Sequence, residues 1–221
     1  VSPAEMNALI NSSLDPASSP GWPYKQYAPP GSEATNRNIF GFSDFLGRYT
    51  NEPMIEYLRT DVSRRIQALK DPGSERHSDP VYMFIKDEPN KMSKIEKRAY
   101  RLISGVSVVD QMVSALIFRD MLLKQLDRWT EVPAKVGWSP AQAGHKLLYK
   151  LIGAKYCDTV AADKSSWDWT LQPWAVEVLI EVFKELLPLD EQHHELIANH
   201  VRAVLGPRVL IFPKEKGMMQ V

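Results

Sequence analysis

Short apolar runs stand one at a time between long helical stripes, and this limits the folds open to the chain. Residues 53–69 put Met54, Leu58, Val62, Ile66 and Leu69 on one helical face. A long helix is predicted from about 108 to 129, through Met112, Leu116, Leu122, Leu126 and Trp129. Another is predicted to begin at Ser139-Pro140, an N-cap followed by proline at the first helical position, and to stop at Gly153. Two more cover about 173–187 and 190–205, the second closed by Gly206. VYMFIK (81–86), RAYRLISG (98–105) and RVLIF (208–212) read as strands, and YCDTVAA (156–162) is short and β-leaning. Strand and helix do not alternate as in a βαβ series, so the predicted class is α+β and helix-rich. Residues 15–36, rich in Pro, Ser and Gly, read as irregular, with Trp22, Tyr24 and Tyr27 as packing anchors.

Bulk composition narrows function less than fold. With 221 residues, 44% hydrophobic and 24% charged, the chain is long enough for a real core. Lys+Arg and Asp+Glu both number 27, so any surface for nucleic acid has to be local. A single cysteine, Cys157, excludes an internal disulfide and is expected to pack in a strand. No apolar run is long enough to span a membrane, and no basic-then-apolar leader opens the chain. The start at Val1 and the end at KGMMQV suggest a piece of a longer protein.

Two acids stand five apart in ADKSSWDWTLQPW (161–173), at a predicted strand-to-helix junction. In a strand, residues i and i+5 face opposite sides, and in a helix they lie roughly 140° apart. Asp163 and Asp168 therefore converge only if KSSW turns the chain between them. Magnesium suits such a site, because it takes one or two carboxylates and keeps waters and substrate phosphates. The alternative is structural: Asp163 caps the turn and Asp168 caps the helix near 170.

Residues 86–101 carry six cations, Lys86, Lys91, Lys94, Lys97, Arg98 and Arg101, against three acids, Asp87, Glu88 and Glu96. Hung on a strand-loop-strand frame, they can be aimed at a triphosphate. A solvated hairpin with charges pairing across its strands explains the same composition. SKIE could form a capping box and a short helix. EKRAYRLIS lacks a helical stripe, so the strand reading is preferred.

Taken in order, these segments resemble the RNA-directed RNA polymerases of positive-strand RNA viruses, the sobemovirus and polerovirus type above all and the picornavirus type further off. SSPGWPY (18–24) looks like motif G, KDEP (86–89) with RLIS (101–104) like motif F, DKSSWDW (163–169) like motif A, and KGMMQ (216–220) like the approach to motif B. The resemblance implies a right-hand polymerase with fingers and an incomplete palm and no thumb. Fingers would cover 1–117 with motifs G and F; the palm would cover 118–221 with motif A and a fingers return towards motif B. It implies that Asp163 ligates catalytic Mg2+ (or Mn2+), assisted by the Lys164 carbonyl. Asp168 would recognise ribose hydroxyls, and Arg101, Lys94 and Lys86 would steady the triphosphate. Ser19, Gly21 and Tyr24 would line the template path. The implied partners are template and primer RNA, nucleoside triphosphates and the remainder of a polymerase or polyprotein. The implied location is the host cytoplasm, in a replication complex joined to membranes through other proteins. Motif C, normally Gly-Asp-Asp, does not occur in the 221 residues, so the chain by itself is expected not to polymerise.

Two other classes compete: a non-catalytic RNA-binding or scaffold module derived from a polymerase, and an unrelated helical interaction protein. Among the remaining residues, His193, His194 and His200 lack metal-ligand spacing and are expected in solvated or capping roles. Trp167, Trp169 and Trp174 are expected in the core.

Overall fold

Ser2-Pro3-Ala4-Glu5 starts the first helix, α1 (Pro3–Ser13). The Ser2 hydroxyl accepts from the Glu5 amide, Glu5 reaches back to the Ser2 amide, and proline fills the first turn, where no amide partner is needed. The computed structural model describes residues 2–71, 78–141, 143–155, 160, 162–163, 170–212 and 218–220. A 3₁₀ turn (Tyr24–Tyr27) and α2 (Asn36–Phe40) follow, the latter capped by Thr35 and closed by left-handed Gly41. β1 (Phe42–Ser43) and β2 (Arg48–Tyr49) form a small hairpin, its base braced by the bidentate Arg37–Asp44 pair at 2.6 and 3.0 Å. Residues 15–36 are irregular as expected, apart from the 3₁₀ turn and the first residue of α2.

α3 (Glu52–Leu69) buries Ile55, Leu58, Val62 and Leu69 on one stripe. Each such side chain, taken from water, contributes about 1.5–3 kcal/mol. β3 (Val81–Ile85), α4 (Met92–Glu96) and β4 (Leu102–Gly105) come next, then α5 (Val108–Asp127). The strand expected over 98–105 is shorter, Leu102–Gly105, and α4 lies before it. The short helix given as the alternative for SKIE thus forms, but without the capping box, since no side chain caps it; it is stopped by Arg98 at φ 52°, with the Ala99 amide bonded back to the Lys94 carbonyl.

The chain divides into two compact units, 1–116 with 173–221, and 117–172. In the first unit, α7 (Pro173–Leu186) packs on α8 (Glu191–Leu205), and α8 packs on α3. β5 (Val209–Ile211) and β6 (Met218–Gln220) complete a four-stranded sheet of order β4-β3-β5-β6. β3 runs antiparallel to β4 and parallel to β5, with Val81, Met83 and Leu210 closing one face.

The second unit holds the end of α5, a run of turns and α6 (Gly144–Lys155). Lys135 Nζ donates to the carbonyls of Trp129, Thr130 and Val132, which gathers those turns. α6 begins four residues after the expected first helical position, Pro140. The Ser139 hydroxyl instead accepts from the Ala141 amide, and such local bonding favours a turn. α6 also passes through Gly153 rather than ending there. Two further expectations fail. Trp174, at 69% exposure, is not in the core, and His200, at 1%, is not solvated. Most of the 156–162 segment, with Cys157, Trp167 and Trp169, lies outside the described residues. No described helix is long and apolar enough to cross a membrane.

Candidate nucleotide and template site

The β3–β4 hairpin brings two of the expected cations together. The ladder continues past its last strand pair, Ile85 opposite Leu102, by a bond from the Lys86 amide to the Arg101 carbonyl at 2.9 Å. Lys86 and Arg101 then meet on one carboxylate: Glu88 Oε2 is 2.8 Å from Lys86 Nζ and 3.4 Å from Arg101. The bond donated by Lys86, with the charges of Arg101 and Lys94 behind it, holds the Glu88 carboxyl below its ordinary value. Arg101 keeps most of its side chain in solvent, and Lys94 stands exposed on α4. The hairpin tip is an exposed cationic cluster around one acid.

The 18–24 loop docks at the opposite, inner end of this hairpin. The Val108 amide donates to the Pro20 carbonyl at 2.7 Å, and Gly21 lies against Val106. Gly21 has φ +70°, and a Cβ there would sit 2.6 Å from the Val106 carbonyl oxygen, so both backbone shape and close approach require glycine. Ser19 is half-buried and its hydroxyl accepts from the Gly21 amide at 3.3 Å. Tyr24 departs from the expected role. Its ring is fully buried against Tyr27, Phe40 and Tyr57, and its hydroxyl donates to Asp61 at 3.0 Å. An enclosed ring supports the loop from behind and does not line a path.

Asp163 belongs to the other unit, exposed and outside any helix or strand. Lys164 and Asp168 lie outside the described residues. Among the described residues no three His, Cys, Asp or Glu side chains gather as a metal site. An exposed carboxylate at 163 fits one ligand of a hydrated magnesium ion, which needs few protein oxygens.

A buried ionic knot escaped the sequence reading. Asp110, 1% exposed, bonds to Arg65 and, at 2.7 Å, to Arg208, and accepts from the Asp79 amide at 3.2 Å. Arg65 also pairs with Asp79 at 3.0 Å, and the Ser107 hydroxyl donates to Asp79 at 2.6 Å. Burial pushes the Asp110 carboxyl up and the Arg208 guanidinium down, while the two guanidiniums draw Asp110 back towards its charged form. The only hint in the sequence is an acid inside the apolar run VSVVDQMV.

His200 lies near the knot, its Nε2 hydrogen-bonded with Ser114 Oγ at 2.7 Å. Burial, then the positive charges of Arg65 and Arg208, lower its pKa to about 4. The folded state therefore resists protonation more than the unfolded chain does. The stability this contributes is present above about pH 6.5 and is lost as pH falls towards 4, by about 3 kcal/mol in all. Urea midpoints for His200→Gln should show a shallower decline between pH 7 and 4.5 than the parent; parallel declines would remove His200 as the cause.

Comparison with known proteins shows the family and the fold. The sequence profile of the family described as Viral RNA-dependent RNA polymerase matches residues 6–215. Protein P1-P2 of Pea enation mosaic virus-1 is 30% identical over 181 residues, covering 75% of this chain and 15% of that protein. Replicase polyprotein P2AB of Southern bean mosaic virus is 33% identical over 107 residues, covering 47% of this chain and 11% of that protein. The chain thus spans a small part of the polyproteins it matches. Its fold is similar to that of a Sicinivirus 3Dpol RNA dependent RNA polymerase, with TM-score 0.69 at 17% identity, covering 97% of this chain and 42% of the other.

Proposed function

This chain belongs to the viral RNA-dependent RNA polymerase family, and on that premise we propose that it supplies the nucleotide- and template-guiding part of an RNA-directed RNA polymerase replicating a viral genome. In this reading the fingers cover 1–117 and an incomplete palm covers 118–221, with no thumb. One observation carries it: Lys86 and Arg101 converge at the tip of a hairpin whose base holds the 18–24 loop.

An incoming triphosphate takes over from Glu88 as the anion facing Lys86 and Arg101, with Lys94 adding charge from α4. Arginine grips phosphate oxygens in a planar fork and lysine acts as a point charge. Ser19 and the Gly21 backbone guide the template strand. Asp163 and the Lys164 carbonyl hold magnesium, and Asp168 accepts from the ribose hydroxyls. Bound magnesium would neutralise charge at the phosphate under attack by the primer 3′-hydroxyl. The complete enzyme works within a longer polyprotein, in the host cytoplasm at a membrane-associated replication complex. A non-catalytic RNA-binding or scaffold module derived from a polymerase is the second reading.

Titration with magnesium-GTP tests the proposal. Arg101→Ala should weaken binding by about tenfold or more, the scale of a lost charge-assisted contact, and Asp163→Ala should abolish the magnesium dependence. A primed template should not be extended by these 221 residues. GTP binding indifferent to both substitutions would overturn the nucleotide-site reading. RNA binding without nucleotide binding would favour the module.

A further inference from the structure

The knot and the hairpin are one device. Asp79 stands two residues before β3, Ser107 two residues after β4, and Arg208 one residue before β5. All three belong to the same network, so the neighbouring strands β4, β3 and β5 are tied together at one end. Lys86 and Arg101 project from the other end of β3 and β4. The junction at 106–108 is also where the 18–24 loop docks, and there the Val106 carbonyl accepts from the Gln111 side chain at 2.7 Å. Ser107, fully buried, joins the two halves: its hydroxyl donates to Asp79 and accepts from the Val109 amide at 3.2 Å.

We propose that Ser107, held by Asp79 within the Arg65–Asp79–Asp110–Arg208 network, is a positioning residue that sets the aim of the Lys86 and Arg101 cations and the seat of the 18–24 loop. The inference rests on the nucleotide-site reading above. Its leverage is geometric. At about 3.3 Å per residue the cations lie roughly 20 Å from Asp79, so a tilt of about 5° at the base moves the tip by between 1 and 2 Å. Misplacement on that scale can cost orders of magnitude where groups must be aligned. Ser107 touches no ligand; it acts through the hairpin.

The test is magnesium-GTP affinity of the 221-residue chain, with thermal midpoints measured on the same samples. Ser107→Ala should weaken binding roughly tenfold, Asp79→Ala at least as much because it also takes a carboxylate from Arg65, and the double substitution should weaken it no further than Asp79→Ala, because the Ser107 contact is already lost there. Asp79→Asn keeps an oxygen for the Ser107 hydroxyl and should recover most of the loss. Val176→Ala, which hollows the core under α7, should lower the midpoint and leave affinity unchanged. Should Asp79→Ala fail to fold, Ser107→Ala and Asp79→Asn decide between them. Unchanged affinity in Ser107→Ala, while Arg101→Ala loses binding, overturns the positioning role and leaves the nucleotide site standing. Additive losses in the double variant, or a matching loss in Val176→Ala, also overturn it. An Arg101→Ala variant that binds like the parent removes the nucleotide site, and the positioning role with it.

Discussion

Asp110→Ala is expected to destabilise the protein by about 3–5 kcal/mol, the range for breaking a buried ion pair from one side. The substitution leaves Arg208, with only 8% of its side chain exposed, without its carboxylate, and takes one of two carboxylates from Arg65. It also removes the acceptor for the Asp79 amide. A loss of that size is a large share of the roughly 5–15 kcal/mol that holds a typical domain, so the variant should populate unfolded or aggregated material at room temperature. Asp110→Asn keeps the shape and one acceptor, and should fall between. Urea unfolding reads both. The slope against denaturant should hold and the midpoint should move. A shift worth under about 1 kcal/mol for Asp110→Ala would mean that water reaches the guanidiniums, against the burial seen here. Replacing Asp110, Arg65 and Arg208 together by apolar residues should cost less than Asp110→Ala alone, because the penalty comes from the charge left behind.

The parts of this fold legible in the sequence are those whose signal is local. The stripe from Leu58 to Leu69 marks α3, and the apolar runs at 81–85 and 209–211 are strands, because side-chain period and burial coincide there. The helix at 3–13 carries a local signal too, Ser2 and Glu5 spaced for a capping box, though it is not among the helices expected. Ser139-Pro140 carries the same kind of signal and makes a turn, because its hydroxyl bonds to Ala141 before any helix begins.

The candidate site divides in the same way. Lys86 and Arg101 could be paired from the sequence, since each flanks a strand and the two strands are near neighbours. Tyr24 was legible as a packing anchor, but its partners Phe40 and Tyr57 were not, because they reach it through folding alone. The knot was hidden for a deeper reason. Arg65, Asp79, Asp110 and Arg208 are spread over most of the chain, and no spacing rule links residues that meet by tertiary packing. A buried acid in an apolar run shows that a partner must exist, since an unpaired charge would be too costly, but it does not name the partner.

Gly21→Ala should combine two penalties that other glycines separate. Gly31 also has positive φ, at +77°, but a Cβ there meets nothing within 4 Å. Gly31→Ala therefore reports backbone strain alone, about 1–2 kcal/mol. At Gly21 the same strain is joined by a collision with backbone atoms, the Val106 carbonyl at 2.6 Å and the Ser107 amide nitrogen at 2.9 Å. Backbone cannot swing aside as a flexible side chain can, so the 18–24 loop has to lift. Lifting forfeits the Val108-to-Pro20 hydrogen bond, worth about 0.5–1.5 kcal/mol. Gly21→Ala should thus cost about 1.5–3.5 kcal/mol, and clearly more than Gly31→Ala in the same unfolding experiment. Because the displaced loop carries Ser19, single-stranded RNA binding should fall in Gly21→Ala and hold in Gly31→Ala. Equal stability losses would show that the loop does not press on Val106. Equal RNA binding would separate the loop from the template while leaving its fold intact.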